Sequence, residues 1–372
     1  MGLFVLARYR NCLDRSRHDP SETGEIIVWR LSMHGRTSNA LVCAIVTVLL
    51  VLGSGPGKCA NTVTLNYSIF FPATHAHTLL ATEWGKEVEK RTNGAVKVNM
   101  FPGGTLTPPD QCYDGVVKGI SDVGMSVVSY TMGRFPLTEA IDLPLGYTSG
   151  IQATRLCNAY YEKFNPKEFD AVKMMYMHAY GPGIVHTAKK PVKVMEDLKG
   201  IKVRCSGTSA KVVGALGATP VAMPQTEVYD ALQKGIVGGV VCPIEALKGF
   251  KLTEVTNYTT QNYGSSYSLA FFVAMNKKKW DSLPKDVQET IEKINKEWID
   301  KTGQTWDQID KEAREYALPK GHEFISLSKE EDARWVQAVQ PIMAEYVAAM
   351  KAKNLPGEEA LNFCIDWLKK NP

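Results

Sequence analysis

The 372-residue chain has no apolar run long enough to cross a membrane comfortably. Its longest run, Ala40 to Leu52, has thirteen residues and contains one threonine, whereas a spanning helix needs about 20 apolar residues. A run of this length is typical of the hydrophobic region of a signal peptide. His34 and Arg36 supply the basic flank before this run. Residues 53–57 supply the small residues that are typical of the region before a cleavage site. We expect cleavage between Gly55 and Ala60 and a periplasmic location.

The first 32 residues mix charges without a repeating apolar face, and Met33 lies where a conventional signal peptide would begin. We therefore expect translation to start at Met33. An uncleaved anchor is the alternative, which the short apolar run disfavours. Cys59 follows Pro56-Gly-Lys and lacks the leucine and small residues expected before a lipidated cysteine, which argues against a lipoprotein.

The chain also lacks a strong charge imbalance. It contains 43 Lys and Arg residues against 39 Asp and Glu residues. Residues 1–60 hold seven of the former and four of the latter, so the remainder has a formal charge of +1. A nearly neutral protein has no global attraction to nucleic acid or acidic membranes, and we expect no nucleic-acid partner.

Cysteine is scarce beyond the leader. The five remaining cysteines are Cys112, Cys157, Cys205, Cys242 and Cys364. An odd number without a CxxC pair argues against a disulfide framework and against a zinc site. The oxidising periplasm allows one disulfide, which the sequence does not assign.

Catalytic motifs are absent as well. Gly181-Pro-Gly183 lacks the form of a phosphate-binding loop and is predicted to be a turn. Cys205 and Cys242 have no histidine arrangement that would make a nucleophile, and both are better explained as small buried residues. His75 and His77 precede a helix without further metal-ligand motifs, so helix capping or pocket lining is favoured over metal binding. We expect no cofactor, no metal and no enzymatic activity.

Strands and helices alternate along the rest of the chain. One set runs from Val63 to Val127 and a second from Val172 to Tyr263. This order predicts an α/β fold with mainly parallel strands. Two such units imply two domains with a central cleft, where ligands bind beyond the carboxyl ends of the strands.

The last hundred residues are strongly helical. We predict one helix from Pro284 to about Leu318, capped by Ser282, and another from Ser328 to Lys353. No internal repeat or low-complexity linker occurs, so we expect crossing strands to join the domains. The predicted boundaries are 61–184 plus about 267–308 for domain I, and about 185–266 plus 309–372 for domain II.

An ordered set of motifs surrounds Arg204. Residues 197–204 predict a strand that ends in this arginine, and residues 215–224, 227–235 and 240–247 follow as further strands and a short helix. In this order they resemble the signature of the solute-binding proteins of tripartite ATP-independent periplasmic (TRAP) transporters, the DctP-like family. The resemblance extends from about residue 61 to the C-terminus. Its flanking segments are Glu87–Gly94, Phe101–Leu106, Phe135–Pro144 and Phe271–Asn276.

The resemblance implies a two-domain fold like that of periplasmic binding proteins, with a long helix that spans both domains. It also implies that Arg204 pairs with the carboxylate of a small-molecule ligand, because a guanidinium can make two parallel hydrogen bonds to such a group. TRAP membrane permease subunits are the implied partners. We expect the protein to be a monomer.

Two departures from the family pattern narrow the range of ligands that the site would accept. Cys242 replaces an asparagine found in many members, and Ile184 stands where sialic-acid-binding members carry a second arginine. Each change removes a polar contact, and an unpaired hydroxyl costs about 1–3 kcal/mol. We therefore predict an organic monocarboxylate with an apolar or aromatic body. The other predicted ligand-binding residues are His186, Tyr130, Phe70, His75, Tyr263 and Tyr267.

The sequence is compatible with three functions. The first is an extracytoplasmic solute-binding protein that delivers its ligand to a permease. The alternative is a ligand-sensing subunit of a signalling receptor, which neighbouring genes would distinguish. The third is a cysteine-dependent enzyme using Cys205 or Cys242, which the missing base–nucleophile motif disfavours.

Overall fold

The structure is a computed structural model that describes residues 62–372. The predicted signal peptide, the start at Met33 and Cys59 lie outside these residues. Within them, no helix is both long enough and apolar enough to serve as a membrane span.

Eleven strands make up two sheets in the described part of the chain. The strands are β1 (Val63–Ile69), β2 (Val96–Phe101), β3 (Val123–Val127), β4 (Val172–Ala179), β5 (Ile184–Thr187), β6 (Lys202–Cys205), β7 (Thr219–Ala222), β8 (Gly239–Cys242), β9 (Tyr258–Gln261), β10 (Ala270–Asn276) and β11 (Glu323–Ser326).

Eleven α-helices accompany these strands over residues 62–372. They are α1 (Ala76–Arg91), α2 (Cys112–Lys118), α3 (Gly150–Phe164), α4 (Ser209–Ala215), α5 (Val228–Gln233), α6 (Ala246–Gly249), α7 (Lys277–Asp281), α8 (Lys285–Ala317), α9 (Lys329–Val339), α10 (Pro341–Ala352) and α11 (Gly357–Lys370).

The first sheet has the order β2-β1-β3-β10-β4 and the second the order β11-β9-β5-β8-β6-β7. This confirms the predicted α/β fold. Five strand pairings are parallel, in line with the prediction of mainly parallel strands. Four are antiparallel, because β10 pairs antiparallel with β3 and β4, and β5 with β8 and β9. Antiparallel pairs arise where the chain leaves one sheet and returns to it.

Two extended segments cross between the sheets, as predicted, and α8 makes a third connection from β10 to β11. The chain passes from β4 to β5 and returns from β9 to β10, and Gly183 and Tyr267 form an isolated antiparallel bridge between these two connections. A Cβ on Gly183 would lie within 2.7 Å of the Tyr267 ring, so glycine is needed for this close approach. The domain boundaries stay a prediction.

Helix α8 is the predicted long helix and packs against both sheets. In its first half, Asn295 accepts a hydrogen bond from Trp84 of α1, with an N–O distance of 2.9 Å. In its second half, Ala313 and Ala317 lie in the hydrophobic cluster of the second sheet. The predicted cap was wrong: Pro284 occupies the N-cap, and Ser282 ends α7 instead. Proline suits a helix start because its missing N–H would have no partner there.

The predicted helix from Ser328 to Lys353 is two helices, α9 and α10, with Pro341 as the first residue of the second. A proline inside a helix removes a hydrogen bond and clashes with the preceding turn, which accounts for the break. Ser328 caps α9 as predicted, with its Oγ accepting from the N–H of Glu331 at 3.2 Å.

Helix α8 crosses α3 so closely that position 303 has room for glycine but not for a residue with a side chain. A Cβ at this position would lie 2.8 Å from the Cα of Ile151. We expect Gly303→Ala to lower the free energy of unfolding by about 1–3 kcal/mol, because overpacking outweighs the gain in helix propensity. Urea denaturation of the two proteins measures this difference.

Gly214 of α4 is the matched control. A Cβ there meets nothing within 4 Å, so Gly214→Ala should raise the free energy of unfolding by about 0.4–1 kcal/mol. Equal effects of the two substitutions would show that the crossing of α3 and α8 is not tightly packed.

Candidate functional site

A cavity lies between the two sheets, with Arg204 in its wall. Residues from the first sheet and its loops supply one side, residues from the second sheet and its loops supply the other, and α8 adds a tryptophan. The lining residues are Phe70, Phe71, Val127, Tyr130, Tyr180, Arg204, Gln225, Cys242, Pro243, Glu245, Phe250, Leu269, Phe271 and Trp306.

Arg204 reaches this cavity because it stands near the carboxyl end of β6, whose neighbours β7 and β8 run parallel to it. Its side chain is held by three hydrogen bonds. Nε donates to the carbonyl of Met223 at 2.9 Å, one terminal nitrogen donates to Oε1 of Gln225 at 2.9 Å, and the other lies 3.4 Å from the hydroxyl of Tyr130. The guanidinium is therefore fixed before any ligand arrives.

No carboxylate of residues 62–372 forms an ion pair with Arg204, although the residue is only 2% exposed. A buried charge is costly unless an opposite charge compensates it. The position of Arg204 at a cavity therefore favours an anionic ligand.

Two further hydrogen-bond donors border the same cavity. The Nε2 atom of Gln225 is buried and has no partner among the residues that the structure describes. The Tyr130 hydroxyl accepts from the N–H of Gln225 at 3.0 Å and from Arg204, so its own proton is free for another acceptor. Arg204, Gln225 and Tyr130 can thus donate together to one carboxylate.

The rest of the wall consists largely of aromatic rings. Phe70 and Phe71 stack with centroids 4.4 Å apart, and Phe271 and Trp306 lie 5.5 Å apart. Such rings bury large apolar areas and favour flat apolar partners. The site therefore combines an anion-binding end with an apolar interior.

The structure brings four of the predicted ligand-binding residues to this cavity, namely Phe70, Tyr130, Arg204 and Cys242. Tyr267 lies at the strand crossing, where its hydroxyl donates to the carbonyl of Val241 at 3.0 Å.

His75 caps α1: its Nδ1 accepts from the N–H of His77 at 3.2 Å. Its other ring nitrogen contacts Oε2 of Glu245 at 2.9 Å. It lines an outer groove, which is bordered by Thr74, Ala76, Leu79, Lys248 and Ile309 and shares Glu245 with the cavity.

The remaining three predicted residues also lie outside the cavity. Ile184 packs in the core beside Cys242, its partner across β5 and β8. His186 is bonded to the hydroxyl of Thr259 and the carbonyl of Cys242. Tyr263 is 41% exposed in a different groove near Arg314.

Gln225, Glu245 and Trp306 line the cavity and were missed from the sequence. A signal existed for Gln225, because it follows β7 by three positions and the carboxyl ends of neighbouring parallel strands meet at one edge. Trp306 lies far along the chain in α8, where helical periodicity marks a buried face but not what it contacts.

Burial controls the titratable groups around the site. It lowers the pKa of His178 and of His186 to about 3 in each case, so both rings stay neutral. Burial also raises the pKa of the Cys205 and Cys242 thiols, against an opposing effect of Arg204. A thiol with a raised pKa is a poor nucleophile, which weighs against the cysteine-dependent enzyme.

All five cysteines in the described range are buried and free. The same range, residues 62–372, contains no group of three or more potential metal ligands.

A sequence profile of the DctP family, described as "Bacterial extracellular solute-binding protein, family 7", matches residues 67–349. The C4-dicarboxylate-binding periplasmic protein DctP of Rhodobacter capsulatus is 29% identical over 296 residues, which cover 73% of this chain and 85% of that protein.

Two solved structures are similar over most of their length. A TRAP periplasmic solute-binding protein of Desulfovibrio salexigens is 34% identical with a TM-score of 0.73, covering 83% of this chain and 96% of its own. A marine metagenome TRAP solute-binding protein specific for aromatic acid ligands, solved with metahydroxyphenylacetate, is 30% identical with a TM-score of 0.80, covering 83% and 99%.

Proposed function

Because the chain belongs to the DctP family of bacterial extracellular solute-binding proteins, we propose that it captures an organic monocarboxylate with an aromatic body in the cavity around Arg204. The observation that carries this proposal is the buried guanidinium, which borders an aromatic-lined cavity and has no carboxylate partner among residues 62–372. The free donors of Gln225 and Tyr130 support it, because a carboxylate can accept several hydrogen bonds at once.

The charges of the lining favour one carboxylate over two. Among residues 62–372, Arg204 is the sole cationic residue that borders the cavity, and Glu245 is the sole anionic one. A second carboxylate would find no cation there and would be repelled by Glu245. We therefore place the ligand with the monocarboxylates, although the Rhodobacter capsulatus relative is a C4-dicarboxylate-binding protein.

The aromatic wall favours an aryl body over a hydroxylated sugar acid. Apolar burial contributes roughly 25 cal/mol per Å², and each sugar hydroxyl without a partner costs about 1–3 kcal/mol. The likeness to the marine metagenome protein, which is specific for aromatic acid ligands, supports the same choice.

The space in the cavity is about 20 Å³ in this structure, close to the roughly 10–15 Å³ that a single water needs. An aromatic acid therefore requires the walls to move apart before it enters. We propose that the two sheets separate for loading, and that the loaded protein delivers the acid from the periplasm to TRAP permease subunits.

A ligand panel tests the proposal. We expect benzoate, mandelate or phenylacetate to raise the unfolding temperature, since a ligand at a hundred times its Kd stabilises by about 2.7 kcal/mol. Benzamide is the matched control, because it keeps the ring and lacks the charge. Tight binding of succinate or glucuronate without a response to any aromatic acid would overturn the proposed ligand class.

A further inference from the structure

We propose that Glu245 determines ligand specificity at a second wall of the cavity, and that the acid bound there carries a hydroxyl group on its ring that donates to this carboxylate. The inference rests on the proposed function and narrows its ligand class. Glu245 and Arg204 line the same cavity without forming an ion pair, so one ligand can contact both.

Glu245 is held in place from two sides. Glu245 is only 4% exposed. Its backbone N–H donates to Oδ1 of Asp310 at 2.7 Å, and its Oε2 lies 2.9 Å from Nε2 of His75. Phe71 stacks on the His75 ring with centroids 4.2 Å apart. His75 therefore positions the carboxylate, and Asp310 fixes the backbone of Glu245.

The hydrogen bonds of His75 define its protonation. Its Nδ1 accepts the N–H of His77 at 3.2 Å, so Nδ1 carries no proton. The proton then lies on Nε2 and donates to Glu245, which makes His75 a neutral donor. The pair keeps the negative charge of the carboxylate uncompensated.

The second oxygen of Glu245 has capacity for another donor. A carboxylate offers about four acceptor sites, and His75 occupies one of them. Within the described chain, Oε1 of Glu245 has no hydrogen-bond partner. Gly249 leaves room for this arrangement, since a Cβ there would lie 2.8 Å from Nε2 of His75 and closer still to Oε2 of Glu245.

A well-matched ligand supplies a hydrogen-bond donor to this carboxylate. An unsubstituted aryl acid would place an apolar ring against this carboxylate and offer it no donor. A ring hydroxyl supplies the missing donor and pairs with a charged acceptor, where hydrogen bonds are strongest. A methoxy group has the same oxygen without the proton and gains nothing.

Calorimetry with matched ligands tests the inference in the wild-type protein. The set is benzoate with its 3- and 4-hydroxy and 3- and 4-methoxy derivatives, and the corresponding phenylacetates. We expect at least one hydroxy acid to bind about tenfold or more tightly than its parent acid, and its methoxy analogue to bind more weakly than the parent.

Glu245→Gln provides the second arm. The glutamine oxygen can accept the His75 proton, so its amide nitrogen becomes a donor, and the preference for the hydroxy acid should fall to twofold or less while the parent acid still binds. Persistence of the preference in this variant, or equal affinities for parent and hydroxy acids in the wild type, would overturn the role of Glu245. If none of the acids binds, the proposed function fails together with it.

Discussion

Replacing Arg204 by methionine is expected to weaken binding of an aromatic monocarboxylate by about 30- to 5,000-fold. Truncating one partner of a buried charge pair typically costs about 2–5 kcal/mol, and each 1.4 kcal/mol corresponds to about a factor of ten. Arg204→Lys should also bind poorly, because an ammonium cannot make two parallel bonds to the ligand while it keeps the contacts to Met223 and Gln225. Titration calorimetry measures both effects.

Arg155→Met is the control for this series. Arg155 pairs with Asp300 on the surface, where both side chains are about half exposed, so its loss removes a charge without touching the cavity. We expect its affinity to equal that of the wild type. An Arg204→Met protein that binds within threefold of the wild type would remove the anion-binding role of this residue.

Asp310→Asn is expected to remove a pH-dependent loss of stability of about 2–3 kcal/mol. Burial raises the pKa of the Asp310 carboxyl to about 8, the carboxylates of Glu245 and Asp307 add to the rise, and Arg314 opposes it. A shift from 3.8 to about 8 corresponds to at most about 6 kcal/mol. Asp310 also borders an open groove, whose water screens the charge and reduces this figure.

The direction of the effect follows from the two pKa values. The folded-state pKa lies above the unfolded value, so folding favours the protonated acid. This contribution is complete below a pH of about 4 and is lost as the pH rises to about 8. Urea unfolding at about pH 5 and pH 8.5 should therefore show wild-type stability falling relative to Asp310→Asn, whose Oδ1 still accepts from Glu245.

Asp300→Asn supplies the comparison. Its partner Arg155 lowers the pKa of the Asp300 carboxyl, so that group is ionised in both states over this pH range. The difference in the free energy of unfolding between Asp300→Asn and the wild type should therefore stay constant over this pH range. Parallel stability curves for Asp310→Asn and the wild type would show that the Asp310 carboxyl ionises normally.

The sequence was sufficient to predict that Arg204 stands at a sheet edge, and the structure places it in the wall of the cavity. A strand that ends in an arginine, followed by a helix start and further strands, places that arginine at a sheet edge where ligands bind. The long helix was equally visible, since α8 runs from Lys285 to Ala317, within a residue of its predicted ends. Both are local signals in the chain.

Other features depend on tertiary contacts that no local pattern contains. Trp306 reaches the cavity because α8 crosses α3, and that crossing depends on small residues such as Gly303. The antiparallel position of β10 results from the return of the chain between the sheets. Ile184 and Cys242 were given similar roles from the sequence, yet only Cys242 borders the cavity.

A crystal structure of the protein with 3-hydroxybenzoate would test the central claim most directly. The account predicts that both carboxylate oxygens lie about 2.7–2.9 Å from the guanidinium of Arg204, with the ring among Phe70, Phe71 and Trp306. A carboxylate that instead lies in the outer groove near Lys248, with Arg204 uncontacted, would contradict it.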